Sequence, residues 1–545
     1  MRRKVVSGTV LMLLLTSMLA LAFNIKPAKG EWTGTVYIRA DGSIDPPDAP
    51  ITTNDNITYT LTGNIRSYRD GMVVERDNIV IDGVGYTLQG DRNARGMYLY
   101  GRSNVTIKNI NVKEFVTGIS LSYSNGIRIY GNNITENIDN GIHLWESSNN
   151  SIFMNEIKSN RFGVALRYLS YYNNIFGNTF INNGLFVWFS YRNVVKDNTV
   201  NGKPLIYLEG LSNYKISDAG QVILVGCSNI TVTNVNLSRT TVGVELWDTR
   251  NSVISGNTLK ENNWCGIYLG FSKCNNISLN SIEDNYFGIF LYGSSRYNSI
   301  SENSIMRNNY GIILGYESSN NKIFHNNFID NTYQAYSEGA PNTLDDGYPS
   351  GGNYWSDYTG VDNYSGPYQN ETGSDRIGDT PYVIDENNVD HYPLMNPYTI
   401  TPPAPLVINA TVDINPKALN LRSRGKWVTA YIELPEGYDV DDINVSTIML
   451  NDTVPAELRP VAIGDYDEDE IPDLMVKFDR AELTLYVLAN VDRIKLFEER
   501  FMTITLTLTG KLNDGTLFQG SYTIRIIMPM PRSWRFMKTL EIFPI

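Results

Sequence analysis

The sequence predicts an all-β protein: a right-handed parallel β-helix of about 23 residues per coil, followed by a small antiparallel β-sandwich. Three observations predict it. An asparagine returns every 23 residues over long stretches, a glycine-led phrase returns beside it, and after a proline-rich break the strands become longer and lose the period.

Residues 1–30 come first. A basic tip, Arg2-Arg3-Lys4, precedes an apolar run from Val10 to Phe23 and then small residues, the layout of a secretory signal with cleavage after Ala22 or Gly30. The expectation is an exported chain, extracellular or on the cell surface, with no transmembrane segment once the signal is removed. Twelve N-x-S/T triplets, among them Asn56, Asn104 and Asn133, suit a glycoprotein. Charge points away from nucleic acid: 45 basic against 58 acidic residues give a net −13, which repels phosphate. Three cysteines, Cys227, Cys265 and Cys274, make no disulfide framework. Buried apolar thiols and a Cys265–Cys274 bridge both stand open.

Residues 31–76 read as an N-terminal cap, and the repeats run over 77–331. Asn132, Asn155 and Asn178 are 23 apart, as are Asn257, Asn280, Asn303 and Asn326. Beside them run Gly118, Gly141, Gly163 and Gly184, then Gly243, Gly266, Gly288 and Gly311, opening phrases such as GISL, GIHL, GIYL and GIFL. Units this short cannot close a core alone, so each must bury its aliphatic positions against the units before and after it. In a parallel β-helix identical positions then stack about 4.8 Å apart. Asparagine tolerates a left-handed corner and can stack into an amide ladder, while glycine marks a corner with no room for a side chain.

Between Gly184 and Gln221, which stands in the glycine place, the step is too long, so residues 201–220 read as an insertion leaving the solenoid as a loop. Residues 332–398, rich in Gly, Asp, Tyr and Trp, read as a C-terminal cap over the last open rung. A linker at 399–408 contains TPPAP; a β-sandwich over 409–532 and a tail over 533–545 complete the chain.

The strings NGIHLWESSNNSIFMNEI and FGIFLYGSSRYNSISENSI, the NGKP turn at 201–204 and GGNYWSDYTGVDNYSGPYQNETGSDRIGDTPYVID resemble NosD-type proteins over roughly residues 31–398. These belong to the β-helix group associated with carbohydrate-binding and sugar-hydrolase proteins. For its founding members the resemblance implies a periplasmic part in delivering copper to nitrous-oxide reductase. Copper favours clustered Cys, Met or His, yet His143, His325 and His391 share no repeat position, so no copper site is evident. The GHG and RIK signature of pectin-cleaving relatives is also missing from the solenoid, its one RIK being Arg493–Lys495.

Residues two and four after each glycine face outward, and this lane is aromatic: Tyr98, Tyr100, His143, Trp145, Arg167, Trp188, Glu245, Trp247, Tyr268, Phe290 and Tyr292. Such a lane suits sugar rings, whose C–H faces stack on aromatics while polar neighbours bond their hydroxyls. A lane covered by the insertion, the tail or another chain is the competing expectation. Glycan binding is therefore predicted, with a structural envelope scaffold packing on itself or on cell-envelope components, a polysaccharide lyase or hydrolase, and a copper-delivery accessory as alternatives. For catalysis the candidates are Glu245, Asp248 and His143. In the C-terminal region Asp465, Asp467, Asp469 and Asp473 have the D-x-D-x-D-x-x-x-D spacing of a Ca²⁺ loop, with Glu470 where glycine normally turns the chain.

Overall fold

The structure, a computed structural model, describes residues 32–400 and 407–528 apart from positions 436, 493, 494, 497, 498 and 514. The predicted signal and the tail over 533–545 lie outside the described residues. Two compact units divide between Thr401 and Pro402, within the expected linker.

The first unit is all β and contains two stacks of rungs. In the first coil the glycine-led strands Arg95–Tyr100, Thr117–Ser122, Asn140–Trp145, Phe162–Arg167 and Leu185–Trp188 pair in parallel. Ile119, Ile142, Val164 and Leu185 fall in one column and Leu121, Leu144, Leu166 and Val187 in another, all fully buried. Three-residue strands such as Arg128–Tyr130 and Asn133–Thr135 build the other two sheets, each sending one central aliphatic inward. Rungs begin earlier than residue 77: Val36–Ile38 already pairs in parallel with Met72–Val74. Antiparallel partners, Ile44–Asp45 and the Ile51–Thr53/Thr58–Leu61 hairpin, close that end, sparing it an open strand edge.

The asparagines do stand in columns. Asn257 gives both its backbone N–H and its side-chain amide to Asn280 Oδ1 at 3.0 Å, and the same pair of bonds runs from Asn280 to Asn303 and from Asn303 to Asn326. Each amide also donates back to an earlier rung, as Asn280 Nδ2 does to Ile254 O at 2.8 Å. The amides of this column are thus saturated, as buried polar groups require, whereas Asn193 and Asn262 in neighbouring columns leave their Nδ2 without a partner. The glycine column has a steric cause: a Cβ on Gly141 would come within 2.5 Å of Gly163 O.

Residues 201–220 are no loop. Asn201 and Gly202, both at positive φ, reverse the chain, and Lys203–Glu209 returns antiparallel to Thr199–Val200. The same strand then pairs in parallel with Gln221–Val225 and founds a second coil. Its glycine-led strands Val242–Trp247, Cys265–Gly270, Phe287–Tyr292 and Tyr310–Leu314 stack in register up to Tyr333–Ser337. The break in the period therefore marks where one solenoid ends and another starts.

The expected cap over 332–398 closes the second coil. Phe328, Trp355 and Tyr382 stack with centroids 4.4 Å apart over the last rung. The column ending Asn326–Asn353 terminates on Asp390, whose Oδ2 accepts from Asn353 N and Trp355 Nε1 at 2.8 Å each. Its neighbour ends on Asn388, which accepts from Asn342.

In the second unit, where a β-sandwich is expected, the strands form one nine-stranded, barrel-like sheet that includes the long strands Val454–Gly464, Phe501–Leu512 and Leu517–Ile527 and carries a helix, Arg480–Asn490. Asp479 caps that helix by accepting from Ala481 N and Glu482 N. Cys227, Cys265 and Cys274 are all free thiols, so the Cys265–Cys274 bridge does not form.

Candidate functional site

The outward lane falls into two parts where the coils meet. Leu185–Trp188 is the last rung of its sheet, so its N–H groups on one side have no following strand. Side chains of the second coil take that place. Gln221 Oε1 accepts from Leu185 N at 2.9 Å while its Nε2 donates to Leu185 O at 2.7 Å; Thr241 Oγ1 accepts from Gly184 N at 2.8 Å; and the Glu245 carboxyl receives Val187 N at 3.2 and 3.3 Å.

Glu245 is fully buried, and burial pushes its carboxyl well above the usual range, opposed by the Val187 hydrogen bond. It works as an edge pin rather than as a group that meets a sugar. Trp247 and Tyr268 are sealed in the same junction. Trp247 Nε1 donates to Tyr191 Oη at 2.6 Å and packs on Phe189 and Phe271. Covering of the lane, the competing expectation, thus holds for Glu245, Trp247 and Tyr268, and the cover is the chain's own first coil.

The rest of the lane forms two walls of an open angle. Tyr98, His143, Trp145, Arg167 and Trp188 are half-buried on the first coil, and Tyr100 is 56% exposed. Phe290 and Tyr292 are half-buried on the second, with Tyr316 exposed beyond them. Trp188 meets Tyr292 across the angle at 6.3 Å, and Arg161 lies 5.6 Å over Tyr286. Along the first wall Tyr168, which the lane rule misses because it lies one residue beyond, packs on Trp145 at 4.3 Å and on Trp188 at 4.6 Å. At the far end Tyr98, Tyr100, Val73, Glu75 and Arg102 line a hollow of about 340 Å³.

Polar groups on this wall lack protein partners. His143 Nε2 and Arg167 Nε are buried and unbonded, and burial, helped by the Arg167 charge, lowers the His143 pKa to about 4. The catalytic candidates do not converge: Glu245 is sealed, Asp248 is exposed on the turn after its strand, and His143 sits on the opposite wall.

The second unit brings the predicted carboxylates together. Ligand oxygens of Asp465, Asp467 and Asp473 lie within 4.8 Å of one another, and Glu433, which the loop motif does not contain, joins Asp467 and Asp469 in a second such group. Strand pairing of Glu433 with Asp473 supplies it. Glu470 takes the turn at φ +73° in place of glycine, its N–H held by Asp465 Oδ2 at 3.0 Å.

Against known proteins, the family described as periplasmic copper-binding protein (NosD) matches residues 33–185 and 182–360, together more than half of the chain. The chain belongs to the NosD family. The two matched segments meet within four residues of Gly184, near where the first coil of this NosD-family chain ends. No curated protein matches. Among solved structures, a mutant of the periplasmic alginate epimerase AlgG is 15% identical over 56% of this chain and 72% of its own, with a TM-score of 0.22. The Azotobacter vinelandii mannuronan C-5 epimerase AlgE4 A-module is 17% identical over 58% and 92%, TM-score 0.26. The Dettilon tailspike protein is 13% identical over 82% and 94%, TM-score 0.26.

The NosD description carries copper, so the donors deserve the test. Copper centres use thiolate, thioether or imidazole ligands. Among the described residues, the groups of three or more His, Cys, Asp or Glu side chains with converging ligand atoms contain carboxylates only. His325 Nε2 bonds Ser350 O at 2.9 Å and His391 Nδ1 bonds Asp345 at 3.2 Å, while Cys227 and Cys265 are buried in the second coil. Among the described residues these imidazole and thiol groups do not gather into one donor set. No helix among the described residues is long and apolar enough to cross a membrane.

Proposed function

We propose that this NosD-family protein is exported and binds glycan chains in the aromatic angle between its two coils. The observation that carries the reading is the half-buried wall of Trp145, Tyr168 and Trp188 facing Phe290 and Tyr292, next to polar groups that have no partner in the protein. Aromatic faces with a few convergent polar groups are the usual composition of a sugar site. Its first-coil wall follows the rungs from Tyr100 to Trp188, about 19 Å at 4.8 Å per rung, which suits an extended polymer better than a single sugar. The periplasmic description of the family and the signal-like residues 1–30 both favour a location outside the cytoplasm.

Affinity electrophoresis against a polysaccharide panel tests this. Trp145→Ala is expected to weaken retardation about tenfold or more, since one well-placed ring contributes on the order of 1–3 kcal/mol to stacking. Unchanged retardation in Trp145→Ala, or none with any polymer, would refute the reading. The second unit is proposed to hold Ca²⁺ through Asp465, Asp467, Asp469 and Asp473, with Glu433 as a further oxygen donor.

A further inference from the structure

Arg167 is a half-buried cation of the first unit with no hydrogen-bonded partner for its Nε. Its Nε is buried without an acceptor, and among the described residues no carboxylate forms an ion pair with its guanidinium. Instead the group rests against two rings, 4.9 Å from the Phe162 centroid and 5.7 Å from that of Phe186. Asp139 is the carboxylate whose charge it feels, and that oxygen is held by Asn140 Nδ2 at 2.8 Å.

Its other neighbours are cationic or potentially so. Burial first, and the charge of Arg161 against that of Asp139, set the Arg167 guanidinium below its ordinary pKa; the Arg167 charge in turn lowers His143. A half-buried guanidinium whose nearest counter-charge, Asp139, makes no ion pair with it is costly. The fork of a guanidinium fits a planar carboxylate or a sulfate with two bonds.

Register places the rest of the subsite. Arg167 pairs with Trp145 on the adjacent strand, and Trp145 packs on Tyr168, the residue following Arg167. A sugar ring lying on the Trp145–Tyr168 surface would lie beside the strand position that carries Arg167.

We propose that Arg167 is the subsite for an acid group carried on a sugar ring, a uronate carboxylate or a sulfate ester, so that the angle selects acidic over neutral glycans. This rests on the glycan reading of the same angle and adds to it the charge class of the ligand. Trp145 would serve any sugar. Arg167 would serve acidic ones.

The test uses the full chain and matched polymers: polygalacturonate against the same polymer with its carboxylates methyl-esterified, and dextran sulfate against dextran. Expected is a preference for one or both acidic members that weakens with salt. In Arg167→Gln the affinity for the preferred acidic polymer should fall roughly 10- to 100-fold, the scale of a charged hydrogen-bond pair, with the neutral member unchanged. Whether the uronate or the sulfate pair shows the effect identifies the anion. Equal acidic affinity in Arg167→Gln and wild type, while Trp145→Ala still weakens binding, overturns the acid subsite and leaves the glycan angle standing. Absence of binding to all four polymers removes both. Should Arg167→Gln fail to fold, Arg167→Lys decides: it keeps the charge and loses the fork, so a several-fold loss confined to the acidic polymer supports the subsite, and no loss overturns it.

Discussion

Asp390 offers the sharpest test of how the second coil is closed. Burial raises its carboxyl to about 7, against the hydrogen bonds from Asn353, Trp355 and Tyr392. A carboxyl whose folded pKa lies above its unfolded value near 3.9 holds its proton longer in the folded state. Between pH 4 and 7 the folded chain therefore binds more protons than the unfolded one, and stability falls as pH rises through that window. A gap of about 3 pK units corresponds to roughly 4 kcal/mol lost between pH 4 and pH 8. Asp390→Asn cannot ionise. Its Oδ1 can still accept from Asn353 N and Trp355 Nε1, although its amide faces Tyr392 N, at a cost of about 1–3 kcal/mol. Asp390→Ala orphans all three donors and should lose about 3–9 kcal/mol at pH 4, where the wild-type carboxyl is protonated, and roughly 4 kcal/mol less than that at pH 8. Denaturant midpoints at pH 5 and pH 8 provide the assay. The difference between wild type and Asp390→Asn should shift in favour of Asn by a few kcal/mol at the higher pH. A wild-type profile parallel to that of Asp390→Asn would refute the reasoning.

Glu245→Gln should keep the bond to Val187 N, change stability by less than about 1 kcal/mol at neutral pH and leave glycan binding intact, whereas Glu245→Ala should lose about 1–3 kcal/mol plus a cavity term. Because burial raises this carboxyl, the wild type alone should lose stability as pH climbs through the folded value; loss of binding in Glu245→Gln with the fold intact would contradict the edge-pin role. Asn280→Ala removes the acceptor of Asn257 N and the donor to Ile254 O, so a melt should show about 3–6 kcal/mol of destabilisation, and a neutral effect would refute the ladder's energetic part. Titrating Ca²⁺ into the protein by calorimetry should give heat that Asp467→Asn abolishes; heat unchanged in that variant would exclude the carboxylate group as its source.

Fold was legible in the sequence because the repeat is its own neighbour: each corner amide bonds the identical residue one rung on, so selection for the ladder writes Asn257, Asn280 and Asn303 at one interval. The same locality explains what was missed. A rung pattern says which residues stack and not where a stack stops, so 201–220 reads as an insertion although it turns the chain into a second coil. One residue marks the stop. Gln221 stands where a glycine is needed whenever another rung packs close, and it tolerates a side chain because it reaches Leu185 on the exposed edge of the first coil. In the second unit alternation predicts strands correctly, but the pattern is the same whether they form two sheets or one. For the lane, periodicity gives the outward direction and cannot give exposure: Trp145 and Trp247 hold equivalent positions, and only the meeting of the coils leaves the first half-open and seals the second.

That difference follows from how parallel sheets end. Every parallel coil leaves a row of N–H groups without a following strand, and each must find an acceptor. The second coil meets this with its own tail, through Asn388 and Asp390. The first coil has no tail, since the chain turns directly into a new solenoid, and the acceptors come from that solenoid's outward face as Gln221, Thr241 and Glu245. Using a face to close an end forces the two aromatic lanes to meet at an angle. Rings nearest the junction, Trp247 and Tyr268, become core; rings farther out, Trp145 and Trp188, keep an open side. The candidate site is therefore a geometric consequence of end-closure. A variant that loosens the junction, such as Glu245→Ala, is expected to weaken glycan binding in proportion to its loss of stability, while Trp145→Ala weakens binding by more than the loss of its packing on Tyr168 accounts for.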